Sequence, residues 1–253
     1  TNSGVTITAD HVSDSIETGG GVDTITIGNL NFAGAIATGG GVDVLSVTHA
    51  SADVEDATTL TGLKTITLAQ DTNLAVTEQQ AAAFNGVTGF AITGNAGGGL
   101  ETVDLGADGA ATTLDLSDIT YTNSAITLTV DHGSDDIETG SGVDTFTIAG
   151  ALSGGGSLDL NAGGGNDILD INTTGAVTFA AGTLASFHTL ELDSTGTDTN
   201  LTITADQFNG FTTITAQATD TINVTTMDGK TVTASTAIDK FVFGASEDEA
   251  TIA

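Results

Sequence analysis

The chain contains no cysteine and no proline. Without cysteine it can have neither a disulfide framework nor a thiolate site for a metal or a nucleophile. Positive charge is nearly absent: lysine and arginine total three, all of them lysines (Lys64, Lys230 and Lys240), against 33 acidic residues. The resulting formal charge of −30 repels nucleic acid and anionic membranes and attracts divalent cations. The lack of arginine weighs against an aspartate-based polysaccharide-cleaving site, where a cation must stabilise developing negative charge. Tryptophan is absent and aromatic residues make up only 4% of the chain, which leaves little to stack on sugars. No apolar run approaches the ~20 residues of a membrane span, so membrane insertion is not expected. Thr1 is not an initiator methionine and no signal peptide is visible, so a processed chain or an excerpt is expected; Asp248 to Ala253 run on without a closing element, which favours an excerpt of something longer.

What is present is glycine, threonine, alanine, aspartate and β-branched apolar residues in regular order. A long duplication stands out. Residues 1–27 (TNSGVTITADHVSDSIETGGGVDTITI) and 122–148 (TNSAITLTVDHGSDDIETGSGVDTFTI) agree at 19 of 27 positions without a gap. The correspondence continues from Leu60–Leu68 (LTGLKTITL) to Leu184–Leu192 (LASFHTLEL) and from Thr77–Gly86 to Thr204–Gly210. Two tandem units are therefore expected, residues 1–121 and 122–253, as part of a longer array.

Within each unit, short segments alternate apolar and polar residues with period two. Val5-x-Ile7, Ile25-x-Ile27, Leu45-x-Val47 and Ile66-x-Leu68 are examples, and Phe146-x-Ile148 and Leu169-x-Ile171 repeat them. Such segments predict strands with one face buried. The aspartates of the recurring turns lie 20 residues apart (Asp23, Asp43) and 23 apart (Asp144, Asp167), about one coil each. The predicted fold is all-β, a parallel β-solenoid of the β-helix or β-roll kind with glycine-rich turns. Thr77 and Thr204, each followed three residues later by glutamine, have the spacing of helix N-caps and predict short helical corners.

The turns carry the chemistry. TGGGVDTITI (Thr18–Ile27) returns as TGGGVDVLSV (Thr38–Val47), TGSGVDTFTI (Thr139–Ile148) and AGGGNDILDI (Ala162–Ile171). Glycine allows carbonyls to turn inward, and carbonyl and carboxylate oxygens are the hard ligands that Ca²⁺ takes in sets of six to eight. One turn cannot supply so many; two stacked turns can. One ion is expected between the first two turns, held by Asp23 and Asp43 with the carbonyls of Thr18, Gly20, Thr38 and Gly40. A second is expected between the other two, held by Asp144 and Asp167 with Thr139, Ser141, Ala162 and Gly164. No catalytic residue set is recognised. His11 and His132 are repeat equivalents in polar turns, and the chain reads as a non-enzyme.

These turns resemble the repeats-in-toxin nonapeptide, G-G-x-G-x-D-x-U-x with U a large apolar residue. The resemblance implies a calcium-binding β-roll and adds Asp14 and Asp135, one nonapeptide earlier, as further ligands. It also implies a secreted protein of the bacterial cell surface, similar to surface-layer proteins and giant adhesins. Such a chain is exported through a one-step channel and folds outside on meeting Ca²⁺. The partner it implies is the chain itself, as a polymer or lattice. Cell-surface polysaccharide on the threonine-rich face is a further candidate partner, disfavoured by the few aromatic residues. The rival reading is the solenoid portion of a secreted protease, lipase or polysaccharide lyase whose catalytic domain lies elsewhere.

Overall fold

A computed structural model describes residues 3–28, 31–84, 87, 89–95, 101–107, 109–122, 124–154, 156–173, 175–179, 181–192, 199–216 and 220–225. It adds the backbone of strands Thr231–Val232, Phe241–Phe243 and Thr251–Ile252. The fold is a parallel β-solenoid, as the alternation and the turn spacing predict. Two compact units can be told apart. One comprises Thr1–Asp108, Leu114–Leu128 and Thr139–Gly142; the other Gly109–Thr113, Thr129–Glu138 and Val143–Ala253.

The first unit has three parallel sheets. Strands Thr6–Ala9, Thr24–Ile27, Asp43–Val47, Leu63–Leu68, Ala91–Thr93 and Thr120–Thr122 stack in that order. Ser51–Asp53, Asn73–Thr77, Glu101–Gly106 and Ser124–Thr129 form a second sheet. Ser15–Glu17, Ala35–Ala37 and Thr59–Thr61 form a third. Because side chains alternate between the faces of a strand, in-register stacking turns each apolar position into a column. Ile7, Ile25, Leu45, Ile66 and Ile92 are successive partners, and the last four are fully buried. Leu74, Val103 and Ile126 do the same in the second sheet, and Ile16, Ile36 and Leu60 in the third. Val5 departs from its predicted inward place: it precedes the first strand and is 46% exposed.

The second unit is built alike. Thr145–Ile148, Ile168–Ile171, Thr189–Leu192 and Thr213–Thr215 stack in one sheet. Asp136–Glu138, Asp159–Asn161 and Leu184–Ala185 stack in another. Ala176–Thr178, Asn200–Thr204, Thr221–Thr225 and Phe241–Phe243 make a third. Thr231–Val232 pairs with Thr251–Ile252. The aromatic ring of Phe146 packs edge-on against Phe187 at 4.9 Å between centroids.

Both predicted helical corners are present as Glu78–Ala81 and Ala205–Gly210, each with a complete capping box. The capping glutamines also reach outside their helices. Gln80 donates through Nε2 to the carbonyls of Val54 and Ala57. Gln207 does so to Phe179 and Gly182. One side chain thus caps a helix and ties it to the preceding coil. Gln207→Ala removes both functions and is expected to lower stability by about 1–3 kcal/mol, read from denaturant unfolding of the folded protein. Gln79→Ala, which leaves the box intact, is the reference.

Candidate functional site: aspartate ladders in the glycine turns

The first turn brings Asp23 to the start of strand Thr24–Ile27, and the second brings Asp43 to the start of Asp43–Val47. Both are buried, with exposures of 1% and 0%. Each uses one carboxylate oxygen in the same way. Asp43 Oδ1 accepts the N–H of Asp23 at 2.8 Å. Asp23 Oδ1 accepts the N–H of Val5 at 2.9 Å. The side chain therefore reaches back one coil and satisfies a backbone donor. The column runs Val5, Asp23, Asp43 and then Leu63, the register partner of Asp43. Apolar residues bound the two acids at both ends.

The other oxygen is the anomaly. Asp23 Oδ2 and Asp43 Oδ2 are buried and have no hydrogen-bond partner among the described residues, and the Thr18 hydroxyl is in the same state. A buried carboxylate oxygen without a partner is expensive, a cost that a cation, a proton or a water molecule would offset.

The glycines bring the turn backbones together. A Cβ on Gly41 would lie 1.5 Å from the Gly21 carbonyl oxygen, and one on Gly39 would lie 2.2 Å from that of Gly19 and 3.1 Å from that of Thr18. Gly21 and Gly41 also have φ of 132° and 151°, a region that favours glycine. The Thr18 carbonyl thus faces the next turn. The Thr38 carbonyl faces onward too, toward Gly62, where a Cβ would lie 2.2 Å from it. The Gly40 carbonyl accepts the N–H of Gly21 at 2.7 Å.

In the other pair of turns, Thr139, Gly140 and Ser141 belong to the first unit. Asp144, Ala162, Gly164 and Asp167 belong to the second. Thr139 is buried and its hydroxyl has no partner; Ser141 is exposed. Within the second unit the ladder recurs: Asp167 Oδ1 accepts the N–H of Asp144 at 2.8 Å, and Asp167 Oδ2 is buried without a partner. The Ala162 N–H donates to the Ala185 carbonyl, and Gly164 is exposed. Burial pushes the Asp167 carboxyl above the ordinary aspartate range, against hydrogen bonding from Asp144 and the nearby His188.

The two aspartates added by the nonapeptide resemblance differ from the others. Asp14 is half-buried and accepts the N–H of His11 at 3.1 Å. Asp135 is fully buried and both its oxygens take backbone donors, Thr112 at 3.0 Å and His132 at 3.1 Å. Its carboxyl is raised by burial and, to a smaller extent, by Asp131. Asp131 itself accepts the Gly109 N–H at 2.7 Å, and its Oδ1 is buried without a partner.

Sequence reading missed Asp220. It is buried and its Oδ1 accepts the N–H of Thr199 at 3.0 Å, the same backward reach without a glycine turn. The signal was there in Asp220-Thr-Ile-Asn-Val, which parallels Asp23-Thr-Ile-Thr-Ile and Asp144-Thr-Phe-Thr-Ile. The informative feature is the aspartate before the strand; glycine is a separate requirement of close turns.

The donors left over are hard oxygens only, which suits Ca²⁺ and not a soft-ligand metal. Asp23, Asp43 and Thr18 in the first unit offer such oxygens from two stacked turns, and Asp167 in the second unit offers one. Comparison with protein-family models, with curated proteins and with solved structures returned no match.

Two outcomes are expected. Gly41→Ala collides with the Gly21 carbonyl and destabilises strongly, whereas Gly40→Ala, with nothing within 4 Å of its Cβ position, does not; thermal unfolding of both separates them. The second concerns pH. The raised carboxyls of Asp135 and Asp167 bind a proton more tightly folded than unfolded. Their contribution is fully present below the ordinary value of 3.8 and is lost as pH rises through their folded values. The folded fraction of the chelator-treated chain should therefore rise as pH falls from neutrality toward that value, read by circular dichroism at fixed ionic strength.

Proposed function

We propose that the chain is a structural repeat module of an extracellular bacterial surface assembly, either a surface layer, a filament or an adhesin stalk, and that Ca²⁺ in its aspartate turns folds it. The observation that carries this reading is the set of buried, unpartnered second oxygens on Asp23, Asp43 and Asp167. A hydrogen-bonded cap needs one oxygen; these residues bury two. An ion bound by the second oxygens would neutralise buried charge and relieve the repulsion within a chain of net charge −30. Carboxylates of adjacent coils would then be cross-linked at the spacing of stacked strands, about 4.8 Å. The ion is a structural clamp here, and no reaction is assigned to it. The resemblance of the four turns to the repeats-in-toxin nonapeptide supports export of an unfolded chain that folds where calcium is abundant.

Because the native state alone holds the ion, calcium stabilises it by mass action. Chelation is expected to convert the circular dichroism spectrum from β-structure to largely unfolded chain, and millimolar Ca²⁺ to restore it. Asp43→Asn is the sharper probe. Asparagine keeps the Oδ1 acceptor for the Asp23 N–H but removes the anionic oxygen. Calcium affinity of that turn should fall by more than about tenfold, with the spectrum of the chelator-treated chain unchanged. A spectrum indifferent to chelator, or a variant that binds calcium normally, would count against the proposal.

A further inference from the structure

The charge on the first unit is unevenly placed. Its six-stranded sheet presents two outward columns. One runs Thr6, Thr24, Val44, Thr65, Ala91 and Thr120; the other runs Thr8, Thr26, Ser46, Thr67, Thr93 and Thr122. None of these twelve positions is charged. The charged residues of these strands are Asp43, buried in the turn, and Lys64, a half-buried cation beside Thr65 that a register shift leaves without a partner in either column, so that the face carries no acid. Acidic residues occupy the other sheets of the same unit. Asp53 and Asp104 flank Ala75 in register, and Glu17 lies on the third sheet. Burial first, and then the neighbouring Asp53, Asp56 and Asp104, raise the Glu55 carboxyl, so several acids lie together on that side. Next to the uncharged columns, Val22 and Val42 precede their strands and are 59% and 54% exposed.

We propose that this threonine face is a contact surface for a second copy of the chain, packed face to face. The inference rests on the assembly reading above and names the surface. The partner follows from charge. Two chains that each carry −30 repel wherever acidic faces meet, because like charges brought together across an interface cost several kcal/mol. An uncharged face is where they can approach. Columns of threonine, with a methyl and a hydroxyl each, allow two such sheets to interdigitate about 10 Å apart, in the manner of stacked sheets with identical side-chain ladders. A two-fold arrangement makes the contact self-complementary. Its extent is modest. Five strand spacings of about 4.8 Å by about 10 Å of strand give roughly 240 Å² per copy, well under the ~800 Å² per partner of a stable pair. The contact is therefore weak and reversible, suited to a lattice in which it is one of several.

The test uses the whole chain in millimolar Ca²⁺, by sedimentation velocity over a wide concentration range. Concentration-dependent association is expected, accompanied by amide shifts in NMR spectra at Thr24–Thr26, Val44–Ser46 and Thr65–Thr67. The double variant Thr26→Asp, Thr67→Asp should weaken it by more than about tenfold. The control Ala35→Asp, Thr59→Asp adds the same charge on the third sheet and should leave the face contact in place, as should the uncharged double variant Thr26→Asn, Thr67→Asn. Circular dichroism with and without chelator reports separately on whether calcium folds each chain. Absence of association in the unaltered protein, equal loss in both aspartate variants, or retention by a neutral polysaccharide with no self-association overturns the proposal.

Discussion

The structure depends on what happens to backbone donors where one coil passes to the next. Along the strands, each N–H finds a carbonyl in the neighbouring coil. At the turns the ladder would lapse, and an aspartate from the following coil fills the gap. Asp23, Asp43, Asp135, Asp167 and Asp220 all do this. A hydrogen bond to a charged group contributes about 1.5–3 kcal/mol, and here it also sets register, since the carboxylate reaches back by one coil. Register in turn keeps isoleucine over leucine in the core, because a slip of one residue would turn every side chain to the other face.

The same device creates the chain's electrostatic problem. A carboxylate has two oxygens and the cap uses one. At Asp135 the second accepts the His132 N–H. At Asp23, Asp43 and Asp167 the second oxygen is buried without a partner. These glycine turns hold stacked backbones so close that a single added Cβ at Gly41 or Gly39 meets a carbonyl. With three basic residues against 33 acids, the chain has few positive side chains to offer.

Much of this was legible before any coordinates. Alternation of Ile25-x-Ile27 with Leu45-x-Val47 announced strands, and the 20-residue interval between Asp23 and Asp43 announced the coil, because both patterns are direct images of period and stacking. Thr77 with Gln80, and Thr204 with Gln207, marked the helical corners through a local rule. What could not be read depended on neighbours far along the chain. Val5 has the apolar character of a core residue, yet it takes the aspartate position of the first coil and is exposed. Asp135 matched the nonapeptide register but finds both its donors in Thr112 and His132. The Thr38 and Gly40 carbonyls are directed by the stack, one toward Gly62 and one to the Gly21 N–H, which no inspection of a single turn reveals.

If Ca²⁺ folds the chain as proposed, the caps whose second oxygen has no partner among the described residues are its ligands. Side-chain carboxyl carbon NMR of the aspartates during a calcium titration is the decisive measurement of that assignment. The resonances of Asp23, Asp43 and Asp167 are expected to move together and saturate with the folding transition, while Asp135, once the chain is folded, shows no further shift with added calcium. Saturating shifts at Asp135 like those at Asp43, or none at Asp23, Asp43 and Asp167, would contradict it.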